Sequence, residues 1–465
     1  MKPPKSQSAL VSHPFRKERE KAGAPKDDAR QDKAKIAVLP ATETHLVELE
    51  KPIYGGAFLA RVEGKAVFVP LTLPGEQALV RITQDKRGYA TAEAEEIIAA
   101  SPERIAPACA HFGACGGCHY QHANYATQLA FKQAILRETL ERGGVVAPTE
   151  IAVLAAEPWR YRNRIRLAFD AAGNPGYRSR RSHAVIPISE CPIAAPLLLQ
   201  AAHAAAEVVR QLPPSLRPTE ISLFCDASET ASLASVFTAS AKNIRFDEFA
   251  KALNERIPAL KGAELVAEGR AGEQPRTIAQ WGAASLTYRA ANFDFRVDHG
   301  AFFQVNRFLV DALVERVTAG HKGQLAWDLF AGVGLFARRL TASFAHVVAV
   351  ESAPFATQAL AENLKGTTGT AVRAATLDFL RRSRKGEQPD FIVVDPPRTG
   401  LGPEITELLA EIAAPAVVYV SCDPATLARD LRALIGTAYA IQSITLADLF
   451  PQTFHLETVV QLRRS

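Results

Sequence analysis

Trp327-Asp328-Leu329-Phe330-Ala331-Gly332-Val333-Gly334 is the stretch that decides the fold. An apolar run passes through Asp328 into a turn with two glycines, and the helical pattern LFARRLTAS follows. Glycine at such a strand-to-helix turn lets the backbone approach a ligand closely. Twenty-three residues after Asp328, the apolar run HVVAV ends in Glu351, where a carboxylate is placed to hold ribose hydroxyls. The third glycine of a dinucleotide fingerprint is missing, with Leu335 and Phe336 in its place. That favours S-adenosyl-L-methionine, which carries no phosphate, over a pyrophosphate ligand.

Outward from this turn the chain alternates. A helix is expected near Gln304 to Thr318, then strand LAWDLF, helix LFARRLTAS, strand HVVAVE, helix FATQALAENLK, a strand around AVRAAT, strand FIVVDPP, helix EITELLAEI, strand AVVYVSC, helix TLARDLRAL and further strands. This alternation predicts an α/β domain with a parallel, doubly wound sheet over residues 301–465. Asp378, seventeen residues before Asp395, is expected to face the adenine end of the bound nucleoside.

Upstream, 101–300 mixes strand candidates (RIRLAFD, EISLFCD, ASVFTAS, SLTYRA, FDFRVD) with an alanine-rich helix around Leu197 to Arg210, an α+β pattern. Residues 41–100 carry about five short β-type runs separated by Gly and Pro turns, the pattern of a small β-barrel. Residues 1–40 have almost no periodic apolar residues and read as a disordered basic arm. The 465 residues are 48% hydrophobic and 22% charged, so ordinary globular cores are available. Residues 1–35 hold ten Lys/Arg against five Asp/Glu, which leaves 44 of each sign in the remainder and makes overall basicity a weak pointer to nucleic acid. No apolar run reaches the ~18 residues of a membrane span, and with no apolar h-region in the first residues a secretory signal is not expected. A cytoplasmic protein without a membrane partner is expected, with a monomer favoured. Six cysteines are too few for a disulfide scaffold in a chain this long.

The strand Phe391 to Val394 delivers Asp395-Pro396-Pro397-Arg398 to a carboxyl strand end, where open α/β sheets bind ligands. The next strand, AVVYV, delivers Ser421-Cys422-Asp423-Pro424 to the same edge. A thiol there, beside a helix N-terminus, is expected to have a lowered pKa and is a candidate nucleophile. Cys225, inside ISLFC, reads instead as a buried apolar residue. Cys109-x5-Cys115-x2-Cys118, with Cys191 seventy-three residues later, sets four thiols that would suit zinc or an iron–sulfur cluster. Two basic stretches, Tyr161 to Arg166 and Arg178 to Arg181, with Trp159 and Tyr177 nearby, offer the mix that stacks bases and binds phosphates.

Phe302-Phe303-Gln304-Val305-Asn306, DLFAGVG, DPPRTGL (Asp395 to Leu401), SCDPATLARD (Ser421 to Asp430) and FPQTFHLETV (Phe450 to Val459) together resemble the RNA uracil-C5 methyltransferases, in order and from about residue 41 to the end. The resemblance implies that the first β module is a TRAM domain, an OB-like RNA binder. It implies that Gln304, Phe330, Glu351 and Asp395 bind S-adenosylmethionine or the target base, that Cys422 is the nucleophile and that Glu457 is the base. Leu335 stands where relatives often have Asn. The resemblance also selects a [4Fe–4S] cluster on Cys109, Cys115, Cys118 and Cys191, with a structural or RNA-contacting role, and 23S rRNA as the partner. A tRNA substrate is the nearest alternative. A non-enzymatic RNA-binding factor with a structural metal is the alternative of another class, and it leaves Cys422 and Glu457 without a task.

Overall fold

A computed structural model describes residues 43–180, 182–239, 245–269 and 275–465. The expected basic arm, 1–40, and Arg181 lie outside these described residues.

The first unit is a six-stranded sheet in the order Thr44–Glu48, Gln77–Asp85, Tyr89–Ala99, Lys65–Pro70, Ala57–Val62, Lys51–Ile53. Alternation sets its inner face: along Lys65–Pro70 every second residue is buried, Val67 and Val69 among them. Its core of Phe58, Val67, Val69, Val80 and Ile82 is completed from outside by Tyr120 and Phe131. The barrel is therefore closed by the cysteine segment and by the helix Tyr125–Arg142 that follows it.

The central unit is a seven-stranded sheet with the helices Pro196–Gln211 and Phe246–Arg256 packed on one face. The strand Leu260–Ala267 and the helix Phe246–Arg256 are additions to the sequence reading.

The third unit is an eight-stranded sheet ordered Gly369–Arg373, Phe344–Glu351, Gly323–Leu329, Phe391–Val394, Ala416–Ser421, Glu457–Arg464, Tyr439–Ala447, Ala152–Leu154. The first five strands are parallel, as expected. Glu457–Arg464 is antiparallel to both of its neighbours, so the sheet is mixed. This reversal matters, because it brings the start of Glu457–Arg464 to the edge where the parallel strands end. Two elements from the segment read as central join this unit. Ala152–Leu154 extends the sheet, and Tyr125–Arg142 packs on the helix Pro424–Ile435. Their approach is close: a Cβ on Gly143 would lie 2.6 Å from that of Ala428.

The helix expected from Gln304 begins only at Val310. Phe302 to Asn306 is held out of helical geometry by the central sheet. The Asn163 amide donates to the Val305 carbonyl (3.0 Å), the Asn163 side chain donates to the Gln304 carbonyl (2.9 Å), and Asn306 bridges to Arg162. Among the described residues, no helix is long and apolar enough to cross a membrane.

Candidate active site

The ends of four parallel strands and the start of the reversed one define the site. Leu329 pairs with Val350 on one side and Val394 on the other, which sets Phe330, Glu351 and Asp395 along one edge. Ser421 pairs with Thr458, so one step further along the ladder Cys422 and Glu457 are cross-strand neighbours. Such neighbours have Cβ atoms about 5 Å apart. Residues far apart in sequence thus share one small volume.

The turn after Leu329 is built on left-handed backbone: Phe330 at φ 63°, Gly332 at 56°, Gly334 at 91°. Only glycine takes such angles freely, so Phe330 is held there against its preference. At Gly334 a Cβ would meet Leu360 at 2.5 Å. Glu351 Oε2 accepts from the Gly332 amide (2.9 Å), and its Oε1 accepts from the Ala353 amide (2.7 Å). The carboxylate is thus fixed at the mouth of the glycine turn. Asp328 Oδ2 accepts from the Ala337 amide, while its buried Oδ1 has no partner. Complete burial pushes the Asp328 carboxyl up to about 8. An orphaned buried oxygen, a cradle of left-handed backbone and an anchored carboxylate fit a nucleoside bearing a cationic amino acid. Gln304 is buried beside this unit, and Asp378 is exposed in the first turn of the helix Thr376–Ser383, after the edge strand that pairs with Glu351.

The loop after Asp395 is shaped by Asp430, whose buried carboxylate accepts from the Leu401 and Gly402 amides and from the Tyr419 hydroxyl. Gly400, at φ 72°, allows this, since a Cβ there would lie 2.5 Å from Asp430 Oδ2. The guanidinium of Arg398 reaches the His455 ring (Nη2 to Nδ1, 3.2 Å). Burial and Arg398 pull His455 down to about 4, so its ring is neutral at physiological pH.

The thiol departs from expectation. Burial, then the carboxylates of Glu457 and Asp395, push Cys422 up to about 11, with Arg398 acting against them. Asp423 caps the helix Pro424–Ile435 through its own side chain, and the helix N-terminus does not offset two carboxylates and burial. The sequence expectation of a lowered pKa is therefore overturned. Those carboxylates are raised too: Asp395 up to about 7 by burial, and Glu457 well above the ordinary range by burial and then by Asp395. The thiol is thus raised by both carboxylates, and Glu457 in turn by Asp395.

Groups from the other units complete the wall, and sequence reasoning missed them. Tyr54 of the barrel stands edge-on to Phe454 (5.6 Å, 87°), its hydroxyl facing the Asp423 carboxylate. His119, next to Cys118, also stands edge-on to Phe454 (4.6 Å). Lys132 Nζ donates to Asp448 Oδ1 (2.6 Å) and to the Phe450 carbonyl (2.9 Å), and Tyr125 donates to Asp448 Oδ2 (2.9 Å). Tyr125, Gln128 and Lys132 are spaced as one helix face, and that polar stripe was the available signal.

Cys109, Cys115, Cys118 and Cys191 are free thiols drawn together from two segments. Cys115 and Cys118 each feel Cys109 and Cys191 as neighbouring charges, and burial raises all four. The hairpin geometry is fixed by Gly116, whose amide donates to the Arg178 carbonyl (3.2 Å), and by the Arg180 amide on the Ala114 carbonyl (3.2 Å). Among the described residues, no three His, Cys, Asp or Glu side chains close around a single ion. Free thiols drawn from two segments, Cys191 buried and the other three half-buried, are a donor set that an iron–sulfur cluster takes as thiolates.

The basic stretches are less available than their sequence suggests. Arg166 and Arg178 share Glu220, and Arg164 is half-buried, its Nε and Nη2 enclosed and its guanidinium 4.4 Å over Phe224. Tyr161 is a core residue, and half-buried Tyr177 packs against the same core with its hydroxyl 3.9 Å from the Cys191 sulfur. The sequence could not foresee Glu220, which arrives on the neighbouring strand.

Comparison with known proteins agrees with this geometry. The TRAM domain family matches residues 42–94, and the tRNA (uracil-5-)-methyltransferase family matches residues 384–465. A 23S rRNA (uracil(1939)-C(5))-methyltransferase RlmD of Chromohalobacter salexigens is 33% identical over 436 residues, which cover 90% of this chain and 89% of the relative. An uncharacterized RNA methyltransferase of Streptomyces avermitilis is 32% identical over 446 residues, 90% of this chain and 98% of the relative. The crystal structure of Pyrococcus abyssi tRNA (uracil-54, C5)-methyltransferase, in complex with S-adenosyl-L-homocysteine, shares the fold with a TM-score of 0.72 over 90% of this chain and 100% of that one, at 23% identity. A barrel that matches TRAM, a mixed sheet with a nucleoside cradle, and full-length relatives at this identity lead to one assignment: the chain belongs to the RNA uracil-C5 methyltransferase family and has the S-adenosylmethionine-dependent methyltransferase fold.

Proposed function

We propose that this enzyme methylates C5 of a uridine in 23S rRNA through a covalent adduct between Cys422 and C6. The observation that carries the reading is the ladder step that makes Cys422 and Glu457 neighbours at the carboxyl edge, with Asp395 beside them. C5 of uracil is too weak a nucleophile to take a methyl group unaided, so a thiolate must first add at C6. Cys422 is neutral at rest, and the proton it loses on attack passes to Asp395, which burial makes receptive, leaving Glu457 free to act as the base. Addition leaves an enolate whose C5 takes the methyl group, and S-adenosylmethionine supplies that group as an electrophilic sulfonium methyl. Glu457 in its carboxylate form then removes the C5 proton, the C6–S bond breaks and Cys422 leaves as thiolate. Gln304, Phe330, Glu351 and Asp378 line the cofactor side, and Asp395 meets the base or the cofactor.

The base cannot react while stacked, so it is flipped out or unpaired. Tyr54, Phe454, His119 and Arg398 then offer aromatic and cationic groups around the opening. Cys109, Cys115, Cys118 and Cys191 would hold a [4Fe–4S] cluster, which would supply a cross-link between the cysteine hairpin and the central unit. The choice of 23S rRNA over tRNA rests on the substrate named for the relatives at 32–33% identity.

The test is direct. Glu457→Gln should add Cys422 and accept methyl, then stall as a methylated protein–RNA adduct that survives denaturing electrophoresis. Cys422→Ala should form no adduct, and wild type should trap on 5-fluorouridine RNA. If no adduct forms in either trapping experiment, the covalent mechanism fails. Turnover on tRNA but not on 23S rRNA fragments would move the substrate.

A further inference from the structure

The turn that leads into Glu457 is held from another part of the chain. Gln452 has φ 68°, a left-handed angle that a glutamine rarely adopts, and both it and Gln128 are buried. The two exchange hydrogen bonds: Gln128 Nε2 donates to Gln452 Oε1 (2.9 Å), and Gln128 Oε1 accepts from the Gln452 amide (3.1 Å). The second hydrogen of Gln128 Nε2 goes to the Ala123 carbonyl (2.8 Å). The Gln452 carbonyl accepts from the amides of His119 (2.8 Å) and Tyr120 (3.1 Å), directly after Cys118. Side chain, amide and carbonyl of this one residue are therefore all fixed by residues 119–128, five positions before Glu457.

We infer that Gln128 is a positioning residue for proton removal: it locks the turn at Gln452 so that Glu457 is aimed at C5 of the methylated adduct. The inference rests on the reading of Glu457 as the base. Only an amide side chain can both donate twice and accept here, since leucine and methionine offer neither function and glutamate cannot donate. Thiolate addition and methyl transfer depend on strand ends elsewhere, Leu329, Val394 and Ser421. Slackening at Gln452 should therefore slow the later step alone.

The experiment uses the full-length protein, RNA carrying 5-tritiated uridine, and methyl-labelled S-adenosylmethionine, with methyl incorporation, tritium release and covalent adduct followed in parallel. Gln128→Ala is expected to leave single-turnover methyl incorporation and the KM for RNA near wild type, to slow tritium release about 10- to 100-fold, and to accumulate adduct. A 5-deuterated substrate should then show a larger isotope effect on turnover than it does with wild type. Gln452→Gly relieves the φ 68° strain and removes the Oε1 that accepts from Gln128 Nε2 while leaving the backbone amide on Gln128 Oε1, so it keeps the test open if the first variant folds poorly, and it should likewise slow tritium release while sparing methyl incorporation. Parallel loss of methyl incorporation and tritium release without adduct, or no change in either variant, overturns the inference. Glu457→Gln serves as the reference. If it stalls and Gln128→Ala does not, only the positioning role falls; if it does not stall, the base assignment itself is wrong.

Discussion

Replacing Lys132 with methionine tests how much the junction between the helix Tyr125–Arg142 and the turn after Ala447 contributes. Both Lys132 and Asp448 have side chains with no exposed surface. Burial pulls the lysine below its ordinary range even though Asp448 acts in the opposite sense, so the charged pair is held where neither ion alone would stay. Lys132→Met keeps the volume but removes two hydrogen bonds and the countercharge, and Asp448 retains the Tyr125 hydroxyl. Leaving one buried charge uncompensated costs about 3–5 kcal/mol. At about 2–4 °C per kcal/mol for a domain of this size, the melting temperature should fall by about 6–20 °C. Thermal unfolding followed by the fluorescence of buried Trp327 reads it. Adding Asp448→Asn should recover much of the loss, because the orphaned charge disappears. A fall worth less than about 1 kcal/mol, the range of exposed pairs, or a second mutation that adds its own full cost, would refute the reasoning.

Three further outcomes are expected. Alkylation of Cys422 by iodoacetamide in the free enzyme should be slow at neutral pH and climb about tenfold per pH unit towards a midpoint near 11, since only the thiolate reacts and its pKa is raised; Glu457→Gln removes a negative neighbour and should shift that profile to lower pH, as pH-dependent labelling and mass spectrometry would record. Gly400→Ala should destabilise the protein by about 1–2 kcal/mol or more, from the left-handed backbone together with the 2.5 Å approach to Asp430, readable by chemical denaturation. Anaerobically purified protein should be brown with about four irons per chain, and Cys191→Ala should bleach it; colourless protein with one zinc would remove the cluster while sparing the methyltransferase.

The sequence was most readable where function lies at a strand end. FIVV and AVVYV are short buried runs with turn residues behind them, so Asp395 and Cys422 could be assigned to one edge from sequence alone. Glu457 could not, because its strand runs the other way and only pairing with Ala416 to Ser421 brings it there. The electrostatics of Cys422 were misjudged for the same reason: its helix is local and visible, whereas the two carboxylates arrive from other strands. The stretch FFQVNRFL has apolar spacing that suits a helix, and it is Asn163, just before the distant strand Arg164–Phe169, that holds its first residues extended. Phe246, Phe249, Ala250 and Leu253 do form a helical stripe, so that helix was legible and was passed over. Thr376–Ser383 buries only Thr376 and Leu380 and left little pattern to find.

The bonds from residues 128 and 132 to residues 448 and 452 span separations of 316 to 324 positions. During synthesis, Lys132 and Gln128 therefore emerge long before anything exists to pair with them, and the helix must wait with a cation and an amide that have no buried home. Contacts of such long range form late, since loop closure has to precede them. The nascent chain can assemble its barrel strands while the site stays open, and becomes capable of completing the reaction only once residue 452 has been made and seated. A chain interrupted earlier would carry the cofactor cradle yet lack the closing turn, and its unsatisfied stripe on Tyr125–Arg142 would mark it as unfinished to proteases and chaperones.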